Sequence, residues 1–240
     1  MKYITYQYTC QGKRPNNEDF SGYQLIDNGG LWALADGLGG HKHSEEASRL
    51  TIQYMLEQYR ADRTIDFSQA IGEANNLIRE MQTRNPEANN AATTIVAALV
   101  ENDNLRCAHV GDSRFYYFND CRIVYQTKDH TVAQAAVDLG EITRDQQRVS
   151  LDRNRLLKAV GSTDQVRADV LVTPISVQAG DAFLLCSDGF WEWIYETELE
   201  IDLSKSSSPR AWADYMLCRV RKRQRETADN FTVLCCMITE

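Results

Sequence analysis

No stretch of this 240-residue chain approaches the ~20 consecutive apolar residues that span a bilayer. The longest apolar runs, near Thr94 to Val100 and Phe231 to Ile238, are strand-sized. The N-terminal Met1-Lys2-Tyr3-Ile4-Thr5-Tyr6-Gln7 lacks the apolar core of a signal peptide. Basic residues are in deficit: Lys and Arg number 26 against 34 Asp and Glu, a formal charge of −8. That balance argues against a nucleic-acid partner, whose phosphates call for a basic face. The seven cysteines have no CxxC spacing and are odd in number, which fits reduced thiols packed in a cytosolic protein. No repeat, low-complexity linker or Pro- or Gly-rich hinge divides the chain. The expectation is one soluble, cytoplasmic domain over residues 1–240, with no membrane or nucleic-acid partner and a monomer favoured.

Against these absences stand three short acidic segments, Asn17-Glu18-Asp19, Asp36-Gly37 and Asp188-Gly189, and a fourth acidic position, Asp229. Each lies beside an apolar run: Leu31 to Ala35 precedes Asp36, Ala182 to Ser187 precedes Asp188, and Phe231 to Ile238 follows Asp229. Runs of this length and composition suit buried strands. Carboxylates at the ends of several buried strands can converge on one point, where repulsion raises their pKa values unless a cation neutralises them. Oxygen-only ligands of this kind suit hard divalent ions such as Mg²⁺ and Mn²⁺.

The pattern predicts strands at 2–9, 20–26 and 31–35, then helices over 44–60 and 67–83 and a loop at 84–90. A meander of hairpins follows, with strands at 93–101, 104–110, 113–118 and 121–125 turning at Asn102-Asp103 and Asn119-Asp120. Residues 131–158 read as polar and helical. Strands return at 169–177 and 181–187, then a helix near 209–223 and a last strand at 230–239. Strand-rich blocks interrupted by paired helices imply an α+β fold, with antiparallel sheets packed together and helices on the outer faces.

Taken in order, Gly12-Lys13-Arg14-Pro15-Asn16-Asn17-Glu18-Asp19, Ala35-Asp36-Gly37-Leu38-Gly39-Gly40-His41, Ala92-Thr93-Thr94, Val110-Gly111-Asp112-Ser113-Arg114, Lys128-Asp129-His130-Thr131, Leu157-Lys158-Ala159-Val160-Gly161, Cys186-Ser187-Asp188-Gly189 and Asp229-Asn230-Phe231-Thr232 span almost the whole chain. In this order and spacing the chain resembles the metal-dependent Ser/Thr protein phosphatases, the PPM or type 2C family, and is most similar to compact bacterial members. The resemblance implies a central antiparallel β-sandwich flanked on both faces by pairs of helices, a four-layer α-β-β-α arrangement. It implies Mg²⁺- or Mn²⁺-dependent hydrolysis of phosphoserine and phosphothreonine in proteins, a cognate kinase or its targets among the substrates. A non-catalytic phosphoprotein- or kinase-binding module of the same fold is the alternative; loss of a metal carboxylate would mark it, and none is lost.

By the same resemblance, Asp36 bridges two ions and the Gly37 carbonyl adds a ligand. Asp188 and Asp229 complete the first ion, Asp19 orients water or binds directly, and Asp112 with Asp188 holds a weaker third ion. Arg14 is the candidate phosphate clamp, because a guanidinium fork pairs bidentately with phosphate oxygens; a surface ion pair with Glu18 or Asp19 is its ordinary alternative. His41 stands either as the acid that protonates the leaving oxygen, suited by a pKa near ~6.5, or as a structural support for the metal loop. With His43 it forms an H-x-H pair, but no Cys or third His lies nearby to make a zinc site. Residues 131–158 correspond to the family's flap beside the active site. Arg219 to Arg225 is a basic stretch that reads as a solvated helix face or a docking patch.

Overall fold

The structure, a computed structural model, describes residues 1–38, 43–224 and 229–240. Strands β1 (Lys2–Cys10), β11 (Phe231–Thr239), β10 (Ala182–Cys186), β6 (Arg114–Asn119) and β7 (Arg122–Gln126) form one sheet in that spatial order. The other runs β2 (Asp19–Ile26), β3 (Gly29–Asp36), β4 (Ile95–Glu101), β5 (Asn104–Val110) and β8 (Asp169–Val170), with β9 (Ile175–Ser176) also on β5. Every pairing is antiparallel. Among the described residues, two antiparallel sheets with seven helices make the fold α+β.

Three apolar clusters show how the parts stack. Alternation along β3 sends Leu31, Ala33 and Ala35 into a cluster with Ile52, Met55 and Tyr59 of α1 (Ser44–Asp62) and Ile71 and Ile78 of α2 (Phe67–Arg84). The intervening Trp32 and Leu34 join Phe183, Leu185, Leu234 and Cys236 of the other sheet. On that sheet's far side, Leu184, Cys186, Val233 and Cys235 meet Leu199 of α6 (Glu196–Ser204) and Trp212, Met216 and Val220 of α7 (Pro209–Arg223). Each central strand is therefore buried on both faces, which is why it reads as a continuous apolar run rather than an alternating one. Four of the seven cysteines, Cys107, Cys186, Cys235 and Cys236, are buried in these strands.

Several elements differ from expectation. The four strands after residue 93 are not one meander: β4 and β5 lie in one sheet and β6 and β7 in the other. The chain crosses between sheets at Gly111-Asp112-Ser113, and Gly111 takes a φ of 102° there. The expected strand at 169–177 is two short pairs, β8 and β9, parted by a segment containing Pro174, which cannot donate to a ladder. Two helices were not anticipated, the four-residue α5 (Asp188–Trp191) and α6, and a 3₁₀ turn occupies Pro86–Ala88 of the expected loop. Two residues of the basic stretch clamp helices together: Arg219 donates to Asp202 and Glu198, and Arg223 to Glu198 and the Trp193 carbonyl, while Arg221 and Lys222 are exposed and Arg225 lies outside the described residues. Between residues 131 and 158 lie α3 (Val132–Asp138), α4 (Arg144–Val149) and irregular chain.

One buried ion pair ties this segment to the start of β6. Arg114, on β6, donates from Nε and Nη2 to the two oxygens of Asp129 at 2.8 and 2.7 Å, with side chains 5% and 2% exposed. Gln147 of α4 donates to the same carboxylate. The Arg114 guanidinium stacks 3.5 Å from the centre of the Trp191 ring, and Trp191 Nε1 donates to the Asp112 carbonyl. Removing one partner of such a pair strands a buried charge. Asp129→Ala should therefore lose about 3–5 kcal/mol of unfolding free energy in a urea titration. A loss below about 1 kcal/mol, the worth of an exposed pair, would show that the contact does not hold α4 and α5 to the sheet.

Candidate active site

The crossing of the sheets brings five strand ends to one place. Asp36 is the last residue of β3, and its register partner across the ladder is Asp19, the first residue of β2. Asp188 follows β10 by two residues and Asp229 precedes β11 by two, on strands that are direct neighbours. Asp112 sits in the crossing between β5 and β6. Asp36, Asp112, Asp188 and Asp229, with Arg14 and Glu18, line one cavity of about 460 Å³. Asp19 is buried behind them, with Ser187 Oγ donating to its Oδ2 at 2.8 Å.

Hydrogen bonds and close backbone approach hold the strand ends in place. The Asp36 amide donates to Thr94 Oγ1, while the Asp36 carbonyl accepts from the Thr94 amide and from Thr93 Oγ1. Gly37 donates its amide to the Glu18 carbonyl at 3.0 Å. A side chain at Gly37 has no room, since a Cβ there would lie 2.6 Å from the Ser44 carbonyl oxygen. Gly189 is tighter still, with the Asn230 carbonyl oxygen 2.0 Å from the place of a Cβ. The two glycines thus let Asp36 and Asp188 turn sharply where neighbouring chain crowds them.

The electrostatics follow from this crowding. Burial, then the charges of Asp19, Asp188 and Asp112, push the Asp36 carboxyl well above the ordinary carboxylate range. Asp188 is raised likewise, by burial and by Asp112, Glu192 and Asp229. Burial pushes Asp112 up to about 7 and Asp19 to about 6. One buried oxygen, Asp19 Oδ1, has no hydrogen-bond partner among the described residues. Repelling oxygens with an unpartnered member are a donor set that a divalent cation fits. Among the described residues, however, no three Asp, Glu, His or Cys side chains already stand as a closed cage, so binding requires side-chain adjustment.

Arg14 does not pair with Glu18 or Asp19. It donates from Nε and Nη2 to both oxygens of Asp229, at 2.8 and 2.6 Å. The expected phosphate clamp is thus engaged with an expected metal ligand. His41 lies outside the described residues. His43 is taken up structurally, facing Glu46 at 3.0 Å and Asn85 at 3.2 Å. Sequence reasoning passed over Glu192, which joins the acidic group from α5's C-cap, and Asn154 and Arg155, which line the cavity from the segment after α4. Glu192 lies four residues past Asp188, the spacing that returns to the same face of a helical turn, and that was the available signal.

The raised carboxyls fix a pH dependence for protein held in chelator. Unfolded aspartates ionise near ~3.9, whereas Asp19 and Asp112 ionise near about 6 and about 7 in the fold. Between those values the folded state keeps protons that the unfolded state has lost, so stability falls as pH rises. Thermal melts in chelator should therefore show Tm decreasing from pH 5 towards pH 7.5, and added Mn²⁺ should raise Tm more at the upper end. A chelated Tm that rises across this window would contradict the crowding.

Comparison with known proteins gives a consistent picture. The family model of protein phosphatase 2C matches residues 7–229. The serine/threonine phosphatase stp of Listeria welshimeri is 30% identical over 230 residues, covering 92% of this chain and 90% of that one. The serine/threonine protein phosphatase PstP of Mycobacterium tuberculosis is 32% identical over 182 residues, 73% of this chain and 34% of PstP. Among solved structures, Stp1 from Staphylococcus aureus superposes with a TM-score of 0.90 at 27% identity, covering 100% of this chain and 96% of that one. The catalytic domain of PstP, solved in complex with two manganese ions, superposes with a TM-score of 0.82 at 27% identity and 99% coverage of each. The match over residues 7–229, with 30% identity across nearly the full length of a relative, establishes that this chain belongs to the protein phosphatase 2C family.

Proposed function

We propose that this protein is a metal-dependent protein serine/threonine phosphatase that hydrolyses phosphoserine and phosphothreonine esters with two Mg²⁺ or Mn²⁺ ions. The observation that carries it is the convergence of Asp19, Asp36, Asp112, Asp188 and Asp229 from five strand ends, crowded enough to raise several of their pKa values. Asp36, with Asp19, Asp188 and Asp112 close enough for their charges to act on it, would take the bridging position. The Gly37 carbonyl, Asp188 and Asp229 would complete one ion, Asp19 would orient a ligand water or bind an ion directly, and Asp112 with Asp188 would hold a weaker third ion. Paired ions of this type supply a nucleophile at neutral pH by lowering the pKa of bound water from about 15.7 towards ~7.

The residues around this donor set have separable tasks. Thr93, Thr94 and Ser187 fix carboxylate positions through the bonds described above. Arg14 lies at the cavity mouth, exposed, and would turn from Asp229 to hold two phosphate oxygens. His41 would serve either as the acid for the departing alkoxide or as a support for the loop after Gly37. Residues 131–158 would act as a flap over the cavity, and residues 1–240 as a single catalytic domain. Among the described residues no helix is long and apolar enough to cross a membrane. The setting that fits is a cytoplasmic monomer opposing a kinase, with that kinase or its targets as substrates.

The direct test is phosphate release from an aryl phosphate and a phosphothreonine peptide, with and without Mn²⁺. Turnover should require the ion, and Asp36→Asn should lower it by at least about 100-fold, since even outer-sphere partners of a metal cost up to that much. Wild-type protein with no metal-dependent turnover on either substrate would overturn the reading.

Arg14 makes a second, sharper prediction. Arg14→Ala removes two charge-assisted hydrogen bonds to substrate, each worth roughly 1.5–3 kcal/mol, so kcat/KM on the peptide should fall at least about tenfold. It also removes a cation from both oxygens of Asp229, so Mn²⁺ should bind the variant more tightly in a calorimetric titration. Unchanged kinetics would remove Arg14 from the phosphate site, and weaker Mn²⁺ binding would contradict its competition with metal.

A further inference from the structure

Beside the carboxylate cavity lies a second groove of about 830 Å³, and the two share Arg14, Asn154 and Asp229 on their common border. Its walls carry four arginines, Arg14, Arg148, Arg153 and Arg223, against only two lining carboxylates, Glu192 and Asp229. Each is held by a carboxylate, Arg14 by Asp229, Arg148 by Glu196, Arg153 by Glu192 and Arg223 by Glu198, so the groove is marked by its density of guanidinium donors rather than by a net charge. The arginines come from separate parts of the sequence: the loop after β1, α4, the segment following it, and the end of α7.

These guanidiniums are fixed in place. Arg148 donates to both oxygens of Glu196 and to the Trp191 carbonyl, Arg153 to Glu192 and the Ser150 carbonyl, and Arg223 to Glu198 and the Trp193 carbonyl. Tyr195 lies between two of them, its ring centre 5.3 Å from the Arg148 guanidinium carbon and 5.4 Å from that of Arg223. Arginine has five N–H donors, and these contacts do not use them all. Arg153 is bonded through Nε and Nη1, and Arg14 through Nε and Nη2, so Nη2 of the one and Nη1 of the other have no partner among the described residues. Arg153 and Arg223 remain about one-third exposed. A frame of this kind loses little side-chain entropy when an anion arrives, so its remaining donors bind effectively. Trp193 and the half-exposed Tyr195 add flat apolar surface on which a peptide can lie.

We propose that this groove binds the stretch of a phosphoprotein next to the phosphorylated residue, and selects stretches that carry anionic side chains. The inference rests on the phosphatase reading above and deepens it by naming a substrate class. The two cavities share Arg14, Asn154 and Asp229, so a phosphoryl group placed among Asp36, Asp112 and Asp188 would have a continuous path for one flank of its chain into the groove. Continuity with the site and the unpartnered N–H donors of Arg14 and Arg153, which an anionic side chain can accept from and an ammonium cannot, favour an acidic flank over a basic one.

The test uses the full chain with Mn²⁺ and phosphothreonine peptides that differ only in the residues flanking the phosphate, which are Glu, a second phosphoserine, Ala or Lys. Glu flanks should give a kcat/KM at least about tenfold above Lys flanks, expressed in KM. The doubly phosphorylated arm separates a plain carboxylate preference from a preference for a second phosphate, and either ranking above Ala supports the groove. Arg153→Gln and Arg223→Gln should each compress that ranking while leaving aryl-phosphate turnover near the wild-type value. Because Arg223 also clamps α6 to α7, the wild-type ranking alone remains decisive if that variant unfolds. Equal rates across flanks, or a preference for Lys, with aryl-phosphate turnover intact, would overturn the groove and leave the phosphatase reading standing. Absence of aryl-phosphate turnover would overturn both.

Discussion

Like charges held together out of water are the constraint on which this structure turns. Asp19, Asp36, Asp112 and Asp188 crowd one another, and burial raises the pKa of each. Such an arrangement opposes folding, and it persists only where the surroundings leave it no alternative. Here the surroundings are central strands buried on both faces, whose apolar packing dictates where their ends must fall. The carboxylates have the positions that two packed sheets give them. On the proposed reading a divalent cation would resolve the conflict and so link folding, metal binding and chemistry in a single set of groups.

Much of the remaining polar architecture serves those positions. Thr93 and Thr94 hold the end of β3, Ser187 bridges Asp19 to the end of β10, and Trp191 joins the Asp112 turn to the helix that begins at Asp188. Arg114 and Asp129 extend this support outward to α4. The same logic continues into the neighbouring groove, where Glu192 at the C-cap of α5 and acidic side chains of α6 hold arginines of other elements at fixed points. Of the basic run at the end of α7, Arg219 and Arg223 therefore belong to a helix clamp, and Arg223 also to a groove wall, while Arg221 and Lys222 stay exposed.

How much of this was legible in the sequence depended on how local the signal was. The buried strands announce themselves because burial on both faces leaves an uninterrupted apolar run, as at Leu31 to Ala35 and Phe231 to Ile238. Their flanking aspartates were legible for the same reason. The distribution of β4 to β7 between two sheets was not, because the crossing at Asp112 looks like any other turn and only packing separates the hairpins. The helix α6 was hidden because its buried residues, Leu199, Asp202 and Leu203, include an aspartate paired to Arg219 seventeen positions away. The partner of Arg14 was equally out of reach, since Asp229 is distant in sequence by 215 residues.

The central claim is that the convergent carboxylates form a binding site for two divalent ions organised around Asp36. Equilibrium titration of chelator-stripped protein with Mn²⁺, read by calorimetry, addresses it most directly because it requires no substrate and no assumption about chemistry. Two ions per chain should bind in the wild type, and Asp36→Asn, which keeps the shape and removes the shared charge, should lose high-affinity binding of both. Wild-type protein that takes up no Mn²⁺ at millimolar concentration, or an Asp36→Asn variant that binds two ions as tightly as the wild type, would contradict it.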